Sequence, residues 1–136
     1  MPNGTRSQLE LMVRAGYPLE TCGLLVGQTR QDGVQVSQVI QARNLNEERA
    51  HDRYELDPGD FLLTDERARA SGLEIVGVWH SHPDHPARPS ETDRAAAWEG
   101  WSYVIVSVTP DGIADVRAWR LNGSQFVEES IEPCRL

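Results

Sequence analysis

A chain of 136 residues, 39% hydrophobic and 25% charged, is long enough to bury its own core, so one globular domain over 1–136 is expected rather than a disordered or disulfide-stapled chain. Thirteen basic residues against 21 acidic ones leave a formal charge of -8, which argues against nucleic acid and anionic membranes as partners. The N-terminal MPNGTRSQ lacks a signal peptide's apolar region, no run approaches the roughly 18–20 apolar residues of a membrane span, and Cys22 and Cys134 make no disulfide framework, so a cytoplasmic protein is expected.

Leu9, Met12 and Val13 at helical spacing predict a helix over 7–15, closed by Gly16 and broken by Pro18. The run TCGLLVGQ at 21–28 reads as a buried strand, with Cys22 as a small buried hydrophobe inside it. Gln31-Asp32-Gly33 turns the chain into a strand over 34–40. Residues 43–53 are polar and read as a loop, and 54–56 as a short extended piece. Asp57 before Pro58 pairs a good N-cap with a good first helical residue; the helix runs through Phe61, Leu62 and Ala68, and Gly72 ends it. A β-rich strand follows at 74–80 (EIVGVWH), then three prolines impose a loop over 81–89. Ser90 opens a helix through Ala95, Ala96, Ala97 and Trp98. YVIVSV at 103–108 is the most apolar strand, Pro110-Asp111-Gly112 a turn, 113–121 a further strand, and Asn122-Gly123 a hairpin signal into Phe126-Val127. Mixed helices and strands predict an α/β or α+β domain around one central sheet.

His80 and His82 stand two apart at the end of a strand, so both imidazoles point to one face and can reach one ion. Asp93 supplies a carboxylate from the first turn of a helix whose N-cap is Ser90. Two imidazoles and a carboxylate suit zinc, and three protein ligands leave the fourth position for water. Hydrolysis through such water also needs a base, and Glu20, at the mouth of the strand at 21–28, is the candidate; the Ser90 hydroxyl is the candidate oxyanion donor. Each piece alone has a bland reading: a surface H-x-H, a capping box, a solvated glutamate. Asp57, Asp84 and Glu91 read as solvated charges, His51 and His85 as solvent-facing, with His85 a weaker alternative ligand. The four tryptophans read as core, although Trp79 and Trp98 flank the proposed site in sequence.

Together the pieces are more specific. His80-Ser81-His82-Pro83, then Ser90-x-x-Asp93 after a fixed gap, with Glu20 upstream in E-T-C-G-L-L-V-G, resembles the motif of the JAMM (MPN+) zinc metallopeptidases, in their minimal prokaryotic form. The resemblance implies an MPN fold, a curved mixed sheet flanked by helices and similar to cytidine deaminases. It implies one zinc on His80, His82 and Asp93, Glu20 as general acid/base, and Ser90 steadying the tetrahedral intermediate. It also implies hydrolysis of a peptide or isopeptide bond at the C-terminus of a ubiquitin-like protein. The chain has no room for the long insertions of ubiquitin-specific members, which points to a sulfur-carrier protein as substrate and to release of cysteine or a short tail. The competing readings are a deubiquitinase-like isopeptidase on ubiquitin-like conjugates, a non-catalytic module binding a ubiquitin-like tail, and a deaminase-like hydrolase. The last lacks its P-C-x-x-C signature here.

Overall fold

The computed structural model describes residues 3–31, 33–46, 54–97 and 100–129. Helix α1 (Asn3–Gly16) leads into the hairpin β1 (Cys22–Arg30) and β2 (Gly33–Ala42). Then come α2 (Pro58–Ala70), β3 (Glu74–Pro83), a short α3 (Glu91–Ala96), and a meander of β4 (Ser102–Thr109), β5 (Gly112–Asn122) and β6 (Gln125–Glu129). The six strands form one sheet in the order β2-β1-β3-β4-β5-β6, and every pairing is antiparallel except β3 with β4. This is the expected mixed sheet with flanking helices. A parallel pair cannot be closed by a tight turn and needs a crossover. Here the crossover carries the proline-rich loop and α3, so it hangs that loop at the end of a central strand.

Alternation along the strands sorts two cores. One face carries Leu25, Trp79, Val104, Val106 and Val108 beneath α1, whose Leu9 and Val13 are fully buried. The other carries Leu24, Val26, Ile75, Val78 and Tyr103 beneath α2, which contributes Ala68. A bulge where Leu25 and Val26 face Gly77 and Ile75 resets the alternation of β3, so Ile75 and Val78 share the α2 face although three apart. Helix α2 begins as expected: the Asp57 side chain accepts the Gly59 N–H, and also pairs with Arg43 at 3.1 Å.

Trp79 crosses the sheet to donate its indole N–H to the Ile40 carbonyl at 3.1 Å, and it does so over Gly23. A Cβ at Gly23 would stand 1.9 Å from that carbonyl oxygen and 2.4 Å from the indole nitrogen. Gly23→Ala is therefore expected to destabilise the fold by about 3 kcal/mol, since neither neighbour can retreat without breaking a buried bond. Urea unfolding would show a lower midpoint at unchanged slope; an unchanged midpoint would contradict the packing described.

The structure departs from sequence expectation in a few places. Strand β3 runs on to Pro83 instead of ending at His80, because β4 continues to pair with it there: His82 lies opposite Ser107 and Pro83 opposite Val108. Helix α3 is only six residues and ends at the extended Ala97. The β5–β6 turn is centred one residue later than Asn122-Gly123, with Asn122 itself paired to Gln125. Asp32, His51, Trp98 and Cys134 lie outside the described residues. Among the described residues no helix is long and apolar enough to cross a membrane.

Candidate metal centre

His80 and His82 project from β3 on the α2 face and are only 1% and 9% exposed, so they are not surface histidines. Their Nε2 atoms are 3.1 Å apart. The His82 Nδ1 lies 2.8 Å from the Pro86 carbonyl. A carbonyl can only accept, so Nδ1 donates to it, which leaves Nε2 as the ring nitrogen free to face His80 and Asp93 and to serve a metal. The ring of His80 is stacked on Tyr54 with centroids 4.5 Å apart, and its Nδ1 is buried without a hydrogen-bond partner among the described residues.

The loop after β3 is held from outside itself. Three successive carbonyls, of His85, Pro86 and Ala87, accept from the Ser107 hydroxyl at 2.6 Å, the His82 ring at 2.8 Å and the Trp119 indole at 3.0 Å. Asp84, in the left-handed region at φ 60°, donates its N–H to the Val108 carbonyl at 2.7 Å and accepts the Tyr17 hydroxyl at 2.8 Å. Nothing in the loop's own sequence signals these anchors, which come from Tyr17 just after α1 and from β3, β4 and β5.

The capping box expected at 90–93 is present. Ser90 Oγ accepts the Asp93 N–H at 3.0 Å, and Asp93 Oδ2 accepts the Ser90 N–H at 2.8 Å. The same Oδ2 lies 3.3 Å from His80 Nε2 and 3.1 Å from His82 Nε2. Burial alone would raise the Asp93 carboxyl, but hydrogen bonds from His80 and then His82 outweigh it and hold the group well below the usual carboxylate range. Burial pushes His80 down, against the pull of the Asp93 hydrogen bond. Burial also opposes charge on His82, but the Asp93 hydrogen bond and then the Pro86 carbonyl prevail and raise it.

Three potential ligand atoms thus form a triangle with sides of 3.1, 3.3 and 3.1 Å. Ligands bound to a tetrahedral ion at about 2.0–2.2 Å lie about 3.3 Å apart, so the donor set fits a cation. Glu20 joins it. It is 5% exposed, and it, His80 and His82 offer ligand atoms all within 4.8 Å of one another, a group that could itself hold a metal ion. Of the two carboxylates, Asp93 touches both imidazoles through one oxygen. The Ser90 Oγ acts as acceptor toward Asp93, so its own hydrogen is available to an oxygen in the cleft.

The four groups Glu20, His82, Ser90 and Asp93 line one cleft of about 1010 Å³. Its walls are otherwise largely apolar, with Leu24, Val78, Tyr103, Phe61 and Trp101, and Arg88 at the loop side. Tyr54, Phe61 and Trp101 carry no local sequence signal for this role. Trp79 is fully buried on the α1 face, the core position expected of it, and strand alternation turns it away from its neighbour His80. His85 is exposed, lines the cleft, and is not part of the imidazole–carboxylate cluster. Asp84 and Asp57 are not merely solvated: one holds Tyr17, the other caps α2. Burial, then the charges of Glu20 and Asp60, push the Cys22 thiol up to about 12, which fits a buried hydrophobe.

The chain belongs to the prokaryotic homologs of the JAB domain, the family whose model matches residues 2–122. Within that family, a Haloferax volcanii protein named desampylase is 36% identical over 115 residues, covering 84% of this chain and 78% of that one. A Mycobacterium bovis protein named CysO-cysteine peptidase is 32% identical over 123 residues, covering 87% and 79%. The solution structure of protein DSY2949 from Desulfitobacterium hafniense superposes with a TM-score of 0.87 at 28% identity, over 99% of this chain and 92% of that one.

Proposed function

We propose that the chain is a zinc-dependent JAB-type peptidase that cuts the peptide or isopeptide bond following the C-terminus of a ubiquitin-like sulfur-carrier protein. The observation that carries this reading is the meeting of His80 Nε2, His82 Nε2 and Asp93 Oδ2 within 3.3 Å at the end of an open cleft, with Glu20 within reach of the two imidazoles. Zinc held by these three would polarise a substrate carbonyl and bring the pKa of bound water to about 7.

The remaining steps belong to the chain's own groups. Glu20, buried beside the imidazoles, takes the proton of the attacking water and passes it to the leaving amine. The Ser90 hydroxyl donates to the carbonyl oxygen as negative charge develops there, a contribution on the order of a hundredfold in rate. The capping box keeps Ser90 and Asp93 in fixed relation, so the oxyanion donor and the ligand move as one unit. The apolar cleft accepts an extended tail and excludes competing water. The relatives named desampylase and CysO-cysteine peptidase support a ubiquitin-like substrate class.

Incubation of the zinc-loaded protein with carrier–cysteine, carrier–peptide and carrier–lysine isopeptide fusions from its own genome tests the reading. Mass spectrometry is expected to show cysteine or the tail released and the carrier ending at its Gly-Gly. Every fusion remaining intact would overturn it.

A further inference from the structure

Ser81, between the two histidines, takes no part in the chemistry above. Strand alternation turns its side chain to the α1 face, away from the cleft, and it is fully buried. The β1–β3 register pairs Cys22 with His80, and hydrogen bonds between Thr21 and Ser81 carry the contact one step further. In a regular antiparallel pair both N–H groups of Thr21 and Ser81 would go to backbone carbonyls. Only half of that exchange occurs. Ser81 donates its N–H to the Thr21 carbonyl at 2.9 Å, but the Thr21 N–H goes to the Ser81 hydroxyl oxygen at 2.8 Å. The Thr21 hydroxyl donates to the same oxygen at 3.3 Å.

The Thr21 N–H and the Glu20 carbonyl belong to one peptide unit. The Asn44 side-chain amide donates to that carbonyl at 3.1 Å. Both polar ends of the Glu20–Thr21 peptide are thus held by side chains rather than by the sheet ladder. Gly16 closes over the back of Thr21, where a Cβ would stand 2.1 Å from the Thr21 methyl. A peptide plane fixed at both ends holds the Glu20 Cα and carbonyl carbon in place, which narrows the directions its side chain can take.

We propose that Ser81 is a positioning residue: by accepting the Thr21 N–H it locks the Glu20–Thr21 peptide plane and aims the Glu20 carboxylate at His80 and His82. The motif's middle residue then ties the metal-bearing strand to the segment that moves the proton, through a bond made on the opposite face of the sheet. This rests on the reading of Glu20 as the proton carrier.

The test uses the full-length, zinc-loaded protein. Ser81→Ala is expected to keep one zinc per chain and an unchanged KM while kcat falls by about 10- to 100-fold, the scale of a misplaced catalytic group. Ser81→Thr, which retains the hydroxyl, is expected to stay near wild type. In a Glu20→Gln background Ser81→Ala should add no further loss, because it acts through Glu20. A crystal structure of Ser81→Ala should show the Glu20 carboxylate withdrawn from the imidazoles with His80 and His82 in place. Should Ser81→Ala not fold, Ser81→Cys, whose sulfur is a poorer acceptor, should give an intermediate kcat with zinc retained. Wild-type kcat in Ser81→Ala or Ser81→Cys, loss of zinc, an additive loss with Glu20→Gln, or an unmoved Glu20 would each overturn the proposal. Wild-type protein inert toward every carrier fusion would count against the peptidase reading instead, and the position of Glu20 in the crystal would still decide the role of Ser81.

Discussion

Replacing Glu20 by glutamine is expected to lower kcat by about a hundred- to ten-thousand-fold while the protein keeps its fold and one metal ion per chain. The substitution preserves shape at a position only 5% exposed, and the bond from Asn44 reaches the backbone carbonyl, so it survives. What is lost is the capacity to take a proton. Metal retention follows from the distances: Asp93 Oδ2 is 3.1–3.3 Å from the two imidazole nitrogens and completes a three-ligand set without Glu20. Turnover and elemental analysis on the same preparation give the answer. Loss of the metal in Glu20→Gln would make Glu20 a ligand, and retained turnover would require a different base.

Substitution of His82 by alanine is expected to remove metal and activity together. The ring has two roles, one at each nitrogen: Nε2 faces His80 and Asp93, and Nδ1 holds the Pro86 carbonyl of the loop. Losing the second leaves a part-buried carbonyl without its donor, a cost of about 1–3 kcal/mol. Losing the first removes the coupling between metal and stability. At a hundredfold excess over Kd a metal bound only to the folded state adds about 2.7 kcal/mol, on the order of 10 °C in Tm for a domain of this size. Thermal unfolding should therefore rise with added zinc and fall with a chelator in the wild type, and respond to neither in His82→Ala. Stoichiometric zinc in His82→Ala would contradict the ligand assignment.

What was legible in the sequence was local. His80 and His82 are related by strand alternation, and Ser90 and Asp93 by the first turn of a helix, so spacing alone sets each pair's geometry. The cap at Asp57 was legible for the same reason. Glu20 differs: it meets the histidines only through the pairing of β1 with β3, with Thr21 and Ser81 60 residues apart in sequence, so its place at the mouth of a buried strand made it a candidate and the motif resemblance added its role. The cleft walls are harder still. Tyr54, Phe61 and Trp101 come from three separate segments, and no periodicity links them. The persistence of β3 to Pro83 depended on β4, which an isolated window reading His-Ser-His-Pro as loop does not contain.

The single parallel pairing, β3 with β4, has a consequence for how the protein reaches its native state. Antiparallel neighbours joined by tight turns zip locally, but β3 and β4 can meet only after the long crossover between them has closed. Such non-local pairing slows folding. The carbonyls that position His82 and its loop are gripped by Ser107 on β4 and Trp119 on β5, so the candidate site depends on that long-range pairing. The site is therefore a product of tertiary assembly and not of any one segment of the chain.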